Sequence, residues 1–225
     1  MIGRRAFTEM LLGGAVVLSL SGCEVKEHAA FKVRVIVEVD TPQGSRSGSS
    51  VYEVKAASLR TTLPDAAQRT WSTRGEAIAV DLPNGQTLFA LMQTGAILGD
   101  IASMVLATLD PEFDNSMVQS TQKLSNIVTE GYLLPVAPQN YPRLVRFANV
   151  NDPTSVQKVD PRDLSASFGE GYRIKAVTAQ IVQNAVTTGI EKRLPWIEHL
   201  TQFRSDPTNP FTESLPPEIG ALRSI

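Results

Sequence analysis

Between Phe31 and Asp40 the chain alternates: Phe31, Val33, Val35, Val37 and Val39 are apolar, and Lys32, Arg34, Glu38 and Asp40 between them are charged, Ile36 being the one apolar residue on that second register. A period of two lines up one face of a β-strand, whereas on a helix the same residues would scatter around the axis. The segment therefore needs a second layer to cover its valine face, and it keeps its other face wet.

The next fifty residues extend that strand into hairpins. Thr41-Pro42-Gln43-Gly44-Ser45-Arg46-Ser47-Gly48 has loop chemistry, and residues 49–57 return with Val51, Tyr52 and Val54. A second hairpin runs over residues 76–82 and 87–93 around Pro83-Asn84-Gly85-Gln86, where Asn-Gly supplies the positive backbone angles of a tight turn. Residues 58–75 are polar, which predicts a long connection with a helical turn near residues 64–68.

Beyond the fourth strand the period changes to that of a helix. Ile97, Leu98, Ile101, Met104, Val105 and Leu109 share one face until Asp110-Pro111 stops it. Residues 116–129 predict a second, more exposed helix, with Gly131 placed to end it, and residues 144–150 and 172–183 predict further strands. The expected fold class is α+β: a mostly antiparallel sheet of five or six strands with two or three helices on one face. A small sandwich or partly closed barrel is the alternative. A doubly wound parallel sheet is disfavoured because the strands come in hairpins.

Composition narrows the function classes. A chain of 225 residues with 42% hydrophobic and 20% charged residues is neither disordered nor collagenous, and one cysteine cannot build a disulfide scaffold. A net charge of -2 argues against nucleic acid as a partner.

The amino-terminal segment carries an address. Arg4 and Arg5 precede an uncharged, largely apolar run over residues 10–20, which at 11 residues is too short to span a bilayer core of about 30 Å and fits the core of a signal peptide. Directly behind it stand Leu20-Ser21-Gly22-Cys23. These four residues resemble the lipobox of bacterial lipoproteins. The resemblance implies cleavage before Cys23, a diacylglycerol on its thiol and usually an acylated amino terminus. Membrane lipid, held through acylated Cys23, would then be a partner, with an envelope protein as a possible second. Cys23 is the only cysteine, so an exported domain would keep no stray thiol.

Gly3-Arg4-Arg5-Ala6-Phe7 also resembles a twin-arginine export signal, although Thr8 and Glu9 depart from it, so the general and twin-arginine routes both stay open. Glu24 stands where an aspartate would imply retention in the inner membrane, which leans the expectation towards the outer membrane with the domain in the periplasm. The expected organisation is a signal peptide over 1–22, a lipidated tether over 23–30, one domain over 31–204, and a Pro-rich tail over 205–225 with Pro207, Pro210, Pro216 and Pro217.

Catalytic signatures are sparse. Histidine occurs only as His28 and His199, and His199 sits beside Leu194, Pro195 and Ile197 as a surface residue next to a packed helix. No Gly-x-Ser-x-Gly elbow, P-loop, His-Glu-x-x-His or Cys-x-x-Cys occurs, and no catalytic residue, metal or cofactor is assigned. Asp110, Glu112 and Asp114 begin like a calcium loop, but Asn115 fills the glycine slot and Thr121 the closing glutamate slot. Asn-Asp-Pro at 151–153 and Val-Asp-Pro at 159–161 read as turns, and so does Phe168-Gly169-Glu170-Gly171-Tyr172, which lacks the helix a dinucleotide cradle needs. Trp196 and Phe203 with Arg193 and Arg204 read as core beside a basic rim.

With Gly189-Ile190-Glu191-Lys192-Arg193-Leu194-Pro195-Trp196, these phrases resemble an uncharacterised bacterial family over residues 144–200, which implies no activity. Two functions stay open: a non-enzymatic interaction or assembly domain, and a ligand-binding or hydrolytic domain using Asp110, Asp114, Asp152 or Asp160.

Overall fold

The computed structural model describes residues 24–60, 68–95, 99–110, 112–113, 117–127, 131–199 and 217–224. The residues expected to form a signal peptide, Arg4, Arg5, Leu20, Ser21 and Gly22, and the expected attachment residue Cys23 lie outside them, as do Ile97, Leu98, Phe203 and Arg204.

The valine alternation does form a strand, and a long one: β1 (Glu24–Asp40) pairs antiparallel with β2 (Arg46–Arg60) from Val39–Arg46 to Glu24–Arg60. Residues 24–30, expected to be a tether, are thus paired as the first part of β1. Their backbone finds its partners in residues 55–60, which continue β2 into the stretch expected to be a loop. The rest of that stretch is corrected too, since Gln68–Glu76 form β3 against β2 while residues 61–67 lie outside the described residues. The stretch is polar because Trp71, Ser72 and Arg74 are exposed, while Thr70, Trp71 and Thr73 are residues that suit a pleated surface.

On the other side β1 pairs with β9 (Arg173–Ile181), though only from Val33 to Asp40. Two short strands close this six-stranded sheet, β6 (Leu134–Pro135) beside β9 and β10 (Arg223–Ser224) beside β3. The second sheet has four strands: β4 (Ile78–Asp81), β5 (Thr87–Thr94), β7 (Pro142–Phe147) and β8 (Val156–Val159). Every strand pair in both sheets is antiparallel.

With α1 (Ile101–Leu109), α2 (Met117–Ser125) and the single turn α3 (Ser165–Phe168), the class is α+β and mostly sheet. The valine face of β1 is covered by the helices and by the second sheet together, because Val33, Val35, Val37 and Tyr52 share one core with Ile78, Val80, Leu88, Ala90, Met104 and Leu124. Asp100 caps α1, its Oδ1 accepting the Ser103 amide at 2.7 Å, and Asp110 ends it.

The other face of the second sheet is buried as well. Phe89, Leu91, Val145 and Phe147 pack there against Ile190, Leu194, Trp196, Ile197, Ile219 and Leu222. This brings in the chain end expected to be an extended tail: Pro217–Ala221 is a 3-10 helix and Arg223–Ser224 is β10, both fastened by the apolar residues Ile219, Ala221 and Leu222. Phe147 stacks edge-on to Phe89 with centroids 5.5 Å apart and lies 5.6 Å from Trp196.

A single residue, Ala77, separates β3 from β4, so the chain changes sheets abruptly. Glu76 stands at that corner, only 3% exposed. Its Oε2 accepts the Ile190 amide at 2.9 Å, and its Oε1 lies 3.4 Å from Nε of Arg223. The Ala77 amide donates to Leu222 O at 2.8 Å beside it. Gly48 is where β2 passes closest to β4, and a Cβ there would collide with the Ala79 carbonyl.

These contacts set the cost of two substitutions. Glu76→Ala, which strands the Ile190 amide and leaves Arg223 only its 4.0 Å contact with Glu191, is expected to cost about 3 kcal/mol in denaturant unfolding, and Glu76→Gln distinctly less. Gly48→Ala is expected to cost about 1–3 kcal/mol, whereas Gly95→Ala, with open space around it, should stay within about 0.5 kcal/mol of wild type.

Candidate functional site

Among the described residues, the acids named from the sequence are each held in contacts of their own turn or helix pair. Asp110 is buried between α1 and α2, its Oδ1 bonded by Lys123 Nζ at 2.7 Å and by the Glu112 amide at 3.2 Å. Lys123 also reaches Glu112 Oε2 at 2.9 Å, so the would-be calcium ligands are cross-linked by an ammonium group. Asp114 lies outside the described residues. Asp152 accepts from the amide and hydroxyl of Thr154 at 2.8 and 2.6 Å, and Asp160 Oδ1 accepts the Arg162 amide at 2.9 Å; both are turn-forming contacts. Among the described residues no group of three or more His, Cys, Asp or Glu is placed to hold a metal ion.

The other sequence candidates are packed or exposed. Trp196 is buried in the second core and donates from Nε1 to Val150 O at 2.8 Å, while Arg193 grips Asp81, with Nη2 at 2.8 Å from Oδ2. That grip holds the Asp81 carboxyl below the usual carboxylate range, against a smaller opposing effect of burial. His199 is exposed at the end of the 3-10 helix Pro195–His199. Gly169 and Gly171, with φ of 104° and 86°, turn the chain from α3 into β9.

The concave site lies elsewhere, beside β7 and β8. A cleft of about 430 Å³ is lined by the loop before β7, by β7 itself, by the turn after β8 and by Glu218 of the C-terminal 3-10 helix. Its lining includes the buried strand residues Leu144, Val145 and Val159, with Pro138, Tyr141 and Pro161 as its more accessible apolar groups. Its charged groups are Arg143, Lys158, Arg162, Asp160 and Glu218.

Glu218 is the unusual one: only 5% exposed, it is paired to Lys158 Nζ at 3.0 Å from its Oε1. Burial pushes its carboxyl up, but its backbone amide, Lys158 and Arg143 together outweigh this and hold it below the ordinary value. Arg143 is oriented by donating from Nε to Thr94 O at 3.2 Å. Of the acids named from the sequence that lie among the described residues, only Asp160 reaches the cleft. The others in it were missed because the site is assembled from segments around residues 95, 138–145, 158–162 and 218, a spacing that leaves no local motif.

A second surface feature is apolar. Tyr132 is 90% exposed, Leu133 53% and Leu134 37%, three consecutive residues leading into the edge strand β6, and Trp71 on β3 is 46% exposed. Single exposed apolar residues are ordinary, whereas a consecutive run on a sheet edge is a feature of contact surfaces.

Compared with protein-family models, with curated proteins and with solved structures, the chain matches none.

The Asp110 pair yields a pH test. Burial raises its carboxyl, and the Lys123 ammonium, Ser120 and the Glu112 amide lower it further than burial raises it. A carboxyl lowered by folding stabilises the protein above its unfolded value of about 3.9, and that contribution vanishes as pH falls through the lower folded value. Wild type should therefore be more stable than Asp110→Asn at neutral pH, with the gap closing as pH drops below about 4, measured by urea unfolding across pH.

Proposed function

We propose that this chain is a membrane-anchored envelope lipoprotein whose folded body is a non-enzymatic interaction or assembly domain. The observation that carries this reading is Leu20-Ser21-Gly22-Cys23, placed behind Arg4, Arg5 and an apolar run and containing the sole cysteine. Two or three acyl chains hold a protein stably at a bilayer, since each buried methylene contributes about 0.8 kcal/mol and one chain alone binds only marginally.

The start of β1 at Glu24 gives the anchor its geometry. A lipid on Cys23 joins the sheet after no free tether, so the end of the sheet carrying Glu24 and Arg60 is held against the membrane. The apolar run Tyr132 to Leu134 offers an envelope protein a contact surface on the opposite sheet edge from β10. The body is periplasmic, and it uses no nucleic acid.

A hydrolytic role is weakly supported. Carboxylate-dependent hydrolysis needs two acids at one site with one kept protonated. Asp110 and Asp152 lie away from the cleft, Asp160 is engaged in its own turn, and the Glu218 carboxyl is lowered rather than raised. A ligand-binding role for the body is supported by the cleft itself and is compatible with anchoring.

The reading is tested in bacteria fed an alkyne fatty acid. The full-length protein should take up the label and sediment with membranes, and Cys23→Ala should lose both properties. Mass spectrometry showing a free Cys23 thiol behind an uncleaved leader overturns it.

A further inference from the structure

We infer that the cleft beside β7 and β8 is a binding site for a small monocarboxylate with an apolar body, its carboxylate held by Arg143 and Arg162. This goes beyond the anchoring proposal and does not rest on it, since every residue lining the cleft lies between Gly95 and Glu218.

Shape comes first. A volume of about 430 Å³ lies in the range of small-molecule sites, and the lining by Tyr141, Pro138 and Pro161 suits a compact hydrocarbon or ring.

Charge then selects the head group. Three cations line the cleft against two carboxylates, so the site carries one uncompensated positive charge. Lys158 is committed to buried Glu218, and Asp160 accepts a backbone amide. The remaining positive charge is therefore shared by the two arginines, Arg143 being also attracted to Glu218. Arg143 uses Nε on Thr94 O and leaves its terminal N–H groups without another partner among the described residues; the Arg162 side chain likewise has none there.

Guanidinium groups are planar forks that match a carboxylate by paired hydrogen bonds, and such charge-assisted bonds are the strong ones. A dianion is disfavoured, because its second charge would face Glu218 and Asp160. A cation is disfavoured by the arginines. A monocarboxylate satisfies both limits and leaves its apolar portion against Pro138, Tyr141 and Pro161.

The test uses the full chain in maltoside micelles and 4-fluorobenzoate as the probe, followed by fluorine NMR relaxation. Saturable, sub-millimolar binding that unlabelled benzoate displaces is expected. Arg143→Met and Arg162→Met should each weaken it about tenfold or more, the loss of one charge-assisted hydrogen bond. Arg162 has an exposed side chain, so its variant keeps the test decisive if Arg143→Met fails to fold. Glu218→Gln removes a negative charge and should let inorganic phosphate compete with the probe, which wild type resists. The inference is overturned by an absence of saturable binding, by binding indifferent to both arginine substitutions, or by wild-type displacement with phosphate as effective as with benzoate.

Discussion

A carboxylate buried at a corner holds the two sheets and the chain's end together. Glu76 closes the first sheet, and Ala77 alone separates it from the second. No loop is available there to satisfy the backbone, so the partners come from far along the chain: the Glu76 side chain takes the Ile190 amide, and the Ala77 amide reaches Leu222. Burying an unpaired carboxylate is costly, and Arg223 supplies the opposite charge. The 3-10 helices Ile190–Lys192 and Pro217–Ala221 are thereby brought beside β5 and β7, whose outer faces would otherwise leave Phe89, Leu91, Val145 and Phe147 uncovered.

How legible each strand is in the sequence depends on how many of its faces are wet. β1 has one wet face, so Phe31 to Asp40 shows its period openly. Residues 88–92 are buried on both faces, with Leu88, Ala90 and Met92 towards the first core and Phe89 and Leu91 towards the second. Alternation then vanishes, and nothing local says that a second sheet exists. β3 has the reverse problem, since its exposed side chains make a strand look like a loop. The docking of Pro217–Ala221 rests on a few apolar residues among prolines, a signal too short to outweigh composition. The cleft is illegible for a different reason, because its residues meet only in the folded chain. The proposed leader is the opposite case, since Leu20-Ser21-Gly22-Cys23 and the residues before them are neighbours in the sequence.

Charge in this chain is spent locally. Asp40 meets Arg173 at 2.7 Å across the β1–β9 pair, Glu38 meets Lys175 at 3.2 Å, Asp81 is gripped by Arg193, and Asp110 by Lys123. The two exposed β1–β9 pairs add little stability each, but they fix which residues face each other across strands. Among the described residues Asp110, Asp152 and Asp160, named from the sequence, likewise each answer to a neighbouring cation or amide.

The long first strand has a mechanical meaning. β1 lies inside its sheet, between β2 and β9, and its leading end is the point where the amino-terminal segment joins the body. A pull applied at Glu24 along the strand axis loads the hydrogen bonds to β2 and β9 side by side, in shear. Peeling an outer strand would instead break such bonds one after another. A tug from that end is therefore borne by the whole ladder at once, as a lap joint bears load.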